Sequence, residues 1–268
     1  MKKKLLIICV ALFAINGYTQ DSIVNYLDRK GKATIREFAE FIDVSLKKSD
    51  SIWEFSRYRN NGVLGYRCHF RTKHKKKKIG QEMLYSRKGG VTSLRFYDLE
   101  GRKSGKFQAW FYEGNKSAQG RYIKDKKEGI WIYYHHNGKI ATKLFYKDDK
   151  LLKRVIYNEN GNVINDKVID NKEVSFKGGN NAFKARVQKM MMQVSHKIKK
   201  RVFLRFTIDF NGEIKDIYFS QPLNDTIKKE IIERTKKIKG WSPAIHMNRE
   251  VSTYKSILLN FSKKKHDK

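Results

Sequence analysis

The residues of this chain best suited to catalysis or metal binding are its histidines, and only two of them are adjacent, His135 and His136. They precede an Asn-Gly pair in a stretch with strand-like alternation, and neighbouring residues of a strand point to opposite faces of a sheet. The two imidazoles are therefore not expected to share a metal ion. A zinc site would need further Cys or His residues at regular spacing, and the sequence has none.

Other catalytic patterns are also missing from the sequence. No glycine-rich loop follows a strand and opens a helix, as phosphate binding requires. No set of Ser, His and Asp residues has a spacing that specifies a nucleophilic triad. Cys68 lies in an alternating run and is expected to be a half-buried strand thiol. We therefore predict a protein without enzymatic activity, metal, cofactor or small-molecule substrate.

The first residues have the composition of a secretory signal peptide. Met1–Lys4 is basic, Leu5–Ile15 is apolar, and small residues follow at Gly17 and Thr19. The apolar run is shorter than the roughly 20 residues that a membrane-spanning helix needs. We expect residues 1–19 to be removed after secretion across an inner membrane, which places the mature protein in the periplasm or cell envelope. Retention of this segment as an uncleaved anchor is the alternative.

The chain is strongly basic. It has 59 Lys and Arg residues against 27 Asp and Glu residues, for a formal net charge of +32. Such a charge suits nucleic acid or an anionic membrane. The lysines, however, occur in nearly every predicted strand and turn rather than in one patch, and a secreted protein rarely meets nucleic acid. The composition therefore disfavours nucleic acid as a partner and leaves contact with a membrane surface open.

The middle of the chain repeats one pattern at a spacing of 24 residues. Gly105–Phe107 matches Gly129–Trp131, and Tyr122 matches Tyr146. Each copy contains two short aromatic strands, and its Asn-Gly pairs favour two-residue hairpins because both central positions need positive φ. One hairpin is not stable alone, so the copies must extend one sheet.

We predict that these copies form an elongated antiparallel β-meander over residues 63–170. Residues 20–62 precede it and are expected to form an N-terminal cap that protects the first sheet edge. The pattern Gly-x-Trp/Phe, Tyr, Asn-Gly-Lys and Tyr-Lys-Asp, from about residue 80 to 163, resembles the MORN-like repeats of the YwqK antitoxin-like family. This resemblance implies an antitoxin-like protein, or a structural scaffold whose sheet docks a partner or a membrane. The strand aromatics are predicted to be sheet core.

A second module follows the repeats. The polar segment 171–181 is predicted to be a linker, residues 182–263 to be the module, and residues 264–268 to be a basic tail. Apolar spacing predicts helices over 182–199 and 226–239, and period-two alternation predicts three strands. The module is expected to be a three-stranded antiparallel sheet packed by two helices, so the fold class of the whole chain is α+β.

Two turns of this module carry a recognisable set of residues, namely Asn211, Gly212, Trp241, Pro243 and Ala244. The first two form a hairpin signal between alternating strands, and the other three follow the second predicted helix. The order of hairpin, helix, Trp-Ser-Pro-Ala turn and final strand, over about residues 181–262, resembles the C-terminal domain of TonB-family energy transducers.

The TonB resemblance implies a mode of binding. Domains of that family bind a short peptide of an outer-membrane transporter, which adds a strand to the sheet edge so that main-chain hydrogen bonds give affinity. The matching edge here consists of Val251, Ser252, Thr253, Tyr254, Lys255, Ser256, Ile257, Leu258 and Leu259. Completion of the sheet, or pairing with a second copy, is the alternative role of this strand.

Energy transduction itself is not expected. A transducer needs a long proline-rich spacer, whereas this chain has two prolines and a repeat sheet where the spacer would lie. The sequence therefore predicts an envelope binding protein that uses a TonB-like module for protein or peptide interaction, with a link to TonB-dependent transport across the outer membrane as one role. A MORN-repeat scaffold or an antitoxin-like protein without a transport role is the alternative.

Overall fold

The structure is a computed structural model that describes residues 21–164, 171–194, 201–219 and 223–260. The predicted signal peptide, 1–19, and the predicted basic tail, 264–268, lie outside the described residues. Within the described parts of the chain, no helix is both long enough and apolar enough to cross a bilayer.

The N-terminal part is built from strands, with one short 3₁₀ helix at Arg36–Phe38. The strands are β1 (Ser22–Leu27), β2 (Phe41–Ser49), β3 (Ile52–Arg59), β4 (Leu64–Phe70), β5 (Lys78–Tyr85), β6 (Val91–Tyr97), β7 (Gly105–Trp110), β8 (Lys116–Ile123), β9 (Lys126–Tyr134), β10 (Ile140–Lys147) and β11 (Lys150–Ile156).

The C-terminal part mixes strands and helices. Its elements are β12 (Asn171–Lys172), β13 (Ser175–Phe176), α1 (Gly179–Val194), β14 (Arg201–Ile208), β15 (Ile214–Phe219), α2 (Asp225–Lys236), β16 (Trp241–Ser242), β17 (Ala244–His246), β18 (Glu250–Val251) and β19 (Thr253–Asn260).

Strands β1 to β11 form one eleven-stranded sheet in which each strand pairs antiparallel with its neighbours in sequence. Tight turns connect them. Gly138, between β9 and β10, adopts a φ value of 84°, which only glycine reaches without strain. Asn137 does not have a positive φ, so this turn is not the two-residue type expected from the Asn-Gly pair. The predicted meander is confirmed. It is longer than expected because the predicted cap, residues 20–62, supplies β1, β2 and β3 to the same sheet, and β3 pairs with β4.

Several large buried side chains of the meander share one of its two faces, which we call the inner face. Pairing register places a row of side chains on it: Phe55, Cys68, Glu82, Phe107, Trp131 and Leu144. Cys68, expected to be half-buried, is completely buried, and burial raises the pKa of its thiol to about 11. Trp131 packs directly on the backbone of Gly120, where an added Cβ would lie 2.3 Å from the indole.

The C-terminal module is a three-stranded antiparallel sheet in the order β15-β14-β19, with α1 and α2 packed on one face. This predicted architecture is confirmed. The central strand, β14, alternates buried apolar residues with residues that face away from the helices. Its buried set is Val202, Leu204, Phe206 and Ile208. The helices cover these side chains with Phe183, Val187, Met191 and Ile231.

The segment 171–181, expected to be a linker, packs as part of the C-terminal module. Asn171 of β12 pairs with His246 of β17, and Phe176 of β13 pairs with Trp241 of β16. Phe176 is buried, and its ring centre lies 5.1 Å from that of Trp241. The segment packs because its Phe176 side chain is apolar. The linker prediction rested on the mostly polar composition of the segment.

Candidate functional site

Strand β19 forms one edge of the C-terminal sheet. It pairs antiparallel with β14, so that Tyr254 lies opposite Thr207 and Ile257 lies opposite Leu204. Among the described residues, no other strand pairs with β19. An edge strand of this kind presents a row of main-chain donors and acceptors that can pair with an added strand.

The predicted edge, Val251–Leu259, is divided between two strands. Val251 belongs to β18, which pairs with β17, and β19 begins only at Thr253. The cause is the turn at Met247 and Asn248, whose φ values of 53° and 61° fold β17 and β18 into a hairpin. On this side the edge strand of the three-stranded sheet is therefore β19, and β15 forms the other edge.

The side chains of β19 alternate between the two faces of the sheet. Ile257 and Leu259 pack into the core beneath the helices, and Leu259 is completely buried. Tyr254 and Ser256 point to the opposite face and are exposed. The hydroxyl of Tyr254 lies 2.5 Å from that of Tyr218, and burial, together with this neighbour, raises the pKa of Tyr254 to about 12. A bound segment would therefore meet polar groups on this side.

The face opposite the helices packs against the hairpin turns of the meander. The contacts are the Arg29 guanidinium 3.4 Å from the ring centre of Phe203, Arg205 Nη1 3.4 Å from Glu40 Oε2, and a hydrogen bond from Arg87 to the Tyr218 hydroxyl. These contacts reach β14 and β15, and the Arg87 guanidinium also lies 5.8 Å from the ring centre of Tyr254 on β19. In the described residues none of them involves the main chain of β19, so its outer edge stays open.

The β17–β18 hairpin joins the two parts more deeply through Arg249. This side chain is buried, and its Nη1 donates hydrogen bonds to the main-chain carbonyls of Ser117 and, at 2.8 Å, Tyr134. The guanidinium carbon lies 5.0 Å from the ring centre of Phe111 and 5.3 Å from that of Tyr133. Burial lowers the pKa of Arg249 to about 10, so the group stays charged at neutral pH.

Neighbours of Arg249 complete the attachment. The carbonyl of Met247 accepts a hydrogen bond of 3.0 Å from the Thr142 hydroxyl, and the Asn248 amide donates one of 3.3 Å to the carbonyl of Tyr157. The Met247 side chain packs against the cluster around Trp131. Sequence reasoning missed this hairpin, because it reads locally as a polar loop and its partners lie far away along the chain.

The two adjacent histidines take part in the same interface. His136 stacks between Phe111 of the meander and Phe210 of the C-terminal module, with ring centres 3.7 and 3.6 Å away. His135 is buried, and its Nε2 lies 3.0 Å from the carbonyl oxygen of Tyr157. The rings have different partners, and within the described parts of the chain no three His, Cys, Asp or Glu residues are placed to hold a metal ion.

Acidification is expected to weaken the docking of the two parts through His136. Burial lowers the pKa of this imidazole, while the Glu250 carbonyl, Glu113 and Glu159 favour the proton and Arg249 opposes it. Because the folded-state pKa is lowered, the neutral ring stabilises the fold above the unfolded pKa of about 6.5. That stabilisation is lost as the pH falls through the folded value.

The measurement is the midpoint of thermal unfolding as the pH is lowered from neutral to about 5, the range in which histidine titrates. The control variant is His136→Phe, which keeps a stacked ring between Phe111 and Phe210 but has no proton to gain. We expect a smaller fall of the midpoint in the variant than in the parent chain. An identical fall in both proteins would contradict the role of His136.

The arrangement places a strand edge that is unpaired among the described residues on a module that contacts the large sheet through Arg249 and His136. A comparison with protein-family models finds no family that matches the chain, and a comparison with curated proteins finds no relative.

Proposed function

We propose that the protein is a non-enzymatic binding protein of the cell envelope whose β19 edge takes up an extended segment of a partner protein. The observation that carries this proposal is that β19 pairs with β14 on one side only, within the described residues. The helices cover one face of its sheet, and the meander contacts the other. Both outer strands of this sheet, β15 and β19, pair on one side only among the described residues, and the TonB resemblance indicates the β19 edge as the one that accepts a partner.

Strand addition is the binding mode that suits such an edge. Main-chain hydrogen bonds supply most of the affinity, and side chains at alternate positions supply specificity. Here the alternate positions are the exposed Tyr254 and Ser256, with Lys255 on the other side of the strand. The whole chain has a formal net charge of +32, which favours a segment that carries acidic residues.

The partner class follows from the TonB resemblance of residues 181–262. It suggests the periplasmic segment of an outer-membrane transporter, and the signal-peptide-like start of the chain fits an envelope location. The docked meander takes the place of the flexible spacer that a transducer would need. The proposed role is therefore capture or positioning of an envelope protein rather than transmission of force.

The test uses the full chain and synthetic peptides that represent the periplasmic segments of outer-membrane transporters. Amide hydrogen exchange is measured with and without peptide. We expect the amides of β19 to exchange at least about tenfold more slowly in the complex, because added hydrogen bonds raise the free energy of local opening by about 1.4 kcal/mol or more.

The control is β11, the last strand of the eleven-stranded sheet, which is also an edge strand among the described residues. Its amides are expected to exchange at an unchanged rate. Peptide binding that protects β11 but leaves β19 unprotected would contradict the proposal, as would a failure of every such peptide to bind.

A further inference from the structure

On the inner face of the meander, a lysine lies beside a tyrosine, and this pair recurs with the repeats. The distances from Nζ to the ring centre are 5.4 Å for Lys78 and Tyr97, 5.4 Å for Lys103 and Tyr122, and 4.9 Å for Lys127 and Tyr146. These pairs lie toward one end of the strands. The β17–β18 hairpin contacts the other end, at Tyr133 and Thr142.

The first of these pairs is closed by a buried carboxylate. Glu82 accepts a hydrogen bond of 2.5 Å from Lys78 and one of 3.1 Å from the Tyr97 hydroxyl. Its charge neutralises the lysine, and Glu82 itself is almost completely buried. This pair is therefore part of the internal structure of the sheet.

In the other two pairs a carboxylate binds the main chain of the lysine instead of its ammonium group: Asp125 accepts from the N–H of Lys103, and Asp149 accepts from that of Lys127. The position of Glu82 in the row across the sheet is taken by Phe107 and Trp131 in the later repeats. In the described parts of the chain, neither Lys103 nor Lys127 forms an ion pair. Both lysines are partly exposed, so each carries a charge that a ligand can reach.

The two tyrosines are held in place by the aromatic core. Tyr122 and Tyr146 both meet the Trp131 ring edge to face, at 4.9 and 6.4 Å between centres. Both are partly exposed, and within the described residues their hydroxyls have no hydrogen-bond partner. Each pair thus offers a fixed hydroxyl and a cation to a ligand on the inner face.

The spacing of the pairs limits what the ligand can be. Tyr122 lies on β8 and Tyr146 on β10, so the pairs are two strands, or about 10 Å, apart. Phosphates follow one another along a nucleic-acid strand at about 3.4 Å, and side chains on one face of an extended peptide recur at about 7 Å. An extended polysaccharide with one acidic group per disaccharide has the longer repeat that fits.

Ring packing also argues against nucleic acid. Single-stranded nucleic acid binds by stacking its bases on open aromatic faces. One face of each ring, Tyr122 and Tyr146, is already covered by a lysine ammonium group, and both rings meet Trp131 at an interplanar angle of 78°. Hydrogen bonding and charge, rather than stacking, are therefore what the two pairs supply.

We propose that the inner face of the meander binds a linear acidic polysaccharide across its strands through Lys103–Tyr122 and Lys127–Tyr146. The anionic groups would contact the ammonium groups, and sugar hydroxyls would bond to the phenol oxygens. This site lies on a different sheet from β19 and does not depend on the function proposed for that edge.

The test measures binding of the full chain to fluorescent hyaluronan oligosaccharides, which carry one carboxylate per disaccharide. We expect the double variant Lys103→Gln, Lys127→Gln to bind roughly tenfold more weakly, the loss appropriate to two partly exposed charge contacts. The matched control is Lys106→Gln, Lys147→Gln. It removes the same charge from two exposed lysines, which lie on the opposite face of the sheet in β7 and β10.

Equal weakening by the two double variants would overturn the proposal, since it would show a general effect of net charge. Failure of the parent chain to bind hyaluronan would overturn it as well. Oligothymidylate and vesicles containing phosphatidylglycerol are measured in parallel. If either binds as tightly as hyaluronan and loses affinity in the Lys103, Lys127 variant, the site is a nucleic-acid or membrane site and the proposal fails.

Discussion

Replacing Arg249 with alanine is expected to lower the free energy of unfolding by about 3 kcal/mol and to loosen the C-terminal module from the meander. The change leaves the carbonyls of Ser117 and Tyr134 without their donor, and each buried unpaired group costs about 1–3 kcal/mol. It also removes the cation from between the rings of Phe111 and Tyr133. Relief from burying a charge opposes these losses, but the cavity left by alanine adds to them.

Chemical denaturation of the full chain measures this effect, and limited proteolysis reports whether the two parts separate. Arg121→Ala is the matched control, because Arg121 is exposed on β8 and loses the same atoms. We expect Arg249→Ala to unfold at a clearly lower denaturant concentration than Arg121→Ala. If Arg249→Ala unfolds at the same denaturant concentration as Arg121→Ala, the hairpin does not hold the parts together.

Replacing Trp241 with alanine is expected to unfold the C-terminal module while the meander stays folded. The indole is buried and lies 5.1, 5.0 and 5.8 Å, between ring centres, from Phe176, Phe183 and Phe206. Removal of such a side chain from a core costs about 3–5 kcal/mol, much of the stability of a small module. The Trp241 carbonyl also packs on Gly212, where an added Cβ would lie 2.4 Å away.

Hydrogen exchange reports on the folding of the two parts of this variant separately. The amides of β14 should lose their protection, whereas those of β9 and β10 should keep most of it. The control is Met192→Ala, at an exposed position of α1. In this variant the β14 amides should keep the protection that they have in the parent chain. Retained protection of β14 in Trp241→Ala would show that the predicted Trp-Ser-Pro-Ala motif is not the centre of this core.

Local patterns predicted most of the fold. The meander follows from alternating aromatic strands and Asn-Gly turns, both of which act between neighbouring residues. The predicted cap, residues 20–62, differs from the repeats in sequence but supplies β1 to β3 to the same sheet, and the inner face of these strands is partly polar. Asp43 is buried there and accepts hydrogen bonds of 2.6 and 2.8 Å from Arg57. A buried ion pair of this kind resembles a surface pattern in the sequence.

The interface between the two parts could not be predicted from the sequence. Arg249 is one of many basic residues, and its acceptors are main-chain carbonyls, which leave no mark on residue type. The stacking of His136 between Phe111 and Phe210 is equally distant along the chain. The edge position of β19 depends on the order of three strands, and its start depends on the β17–β18 hairpin.

Proline substitution at adjacent positions of β19 is the sharpest test of strand addition at this edge. Main-chain N–H groups alternate in direction along a strand, so of Lys255 and Ser256 one donates toward β14 and the other points outward. Proline at the outward position removes a donor that an added strand needs, while the sheet keeps its own hydrogen bonds.

The measurement is the affinity of Lys255→Pro and Ser256→Pro for the transporter peptide that protects β19, alongside thermal unfolding of each variant. We expect the variant at the outward position to unfold at nearly the parent temperature. It should bind the peptide at least about tenfold more weakly, which is the loss expected for one or two hydrogen bonds. Parent-like affinity in both variants would contradict binding by strand addition at β19.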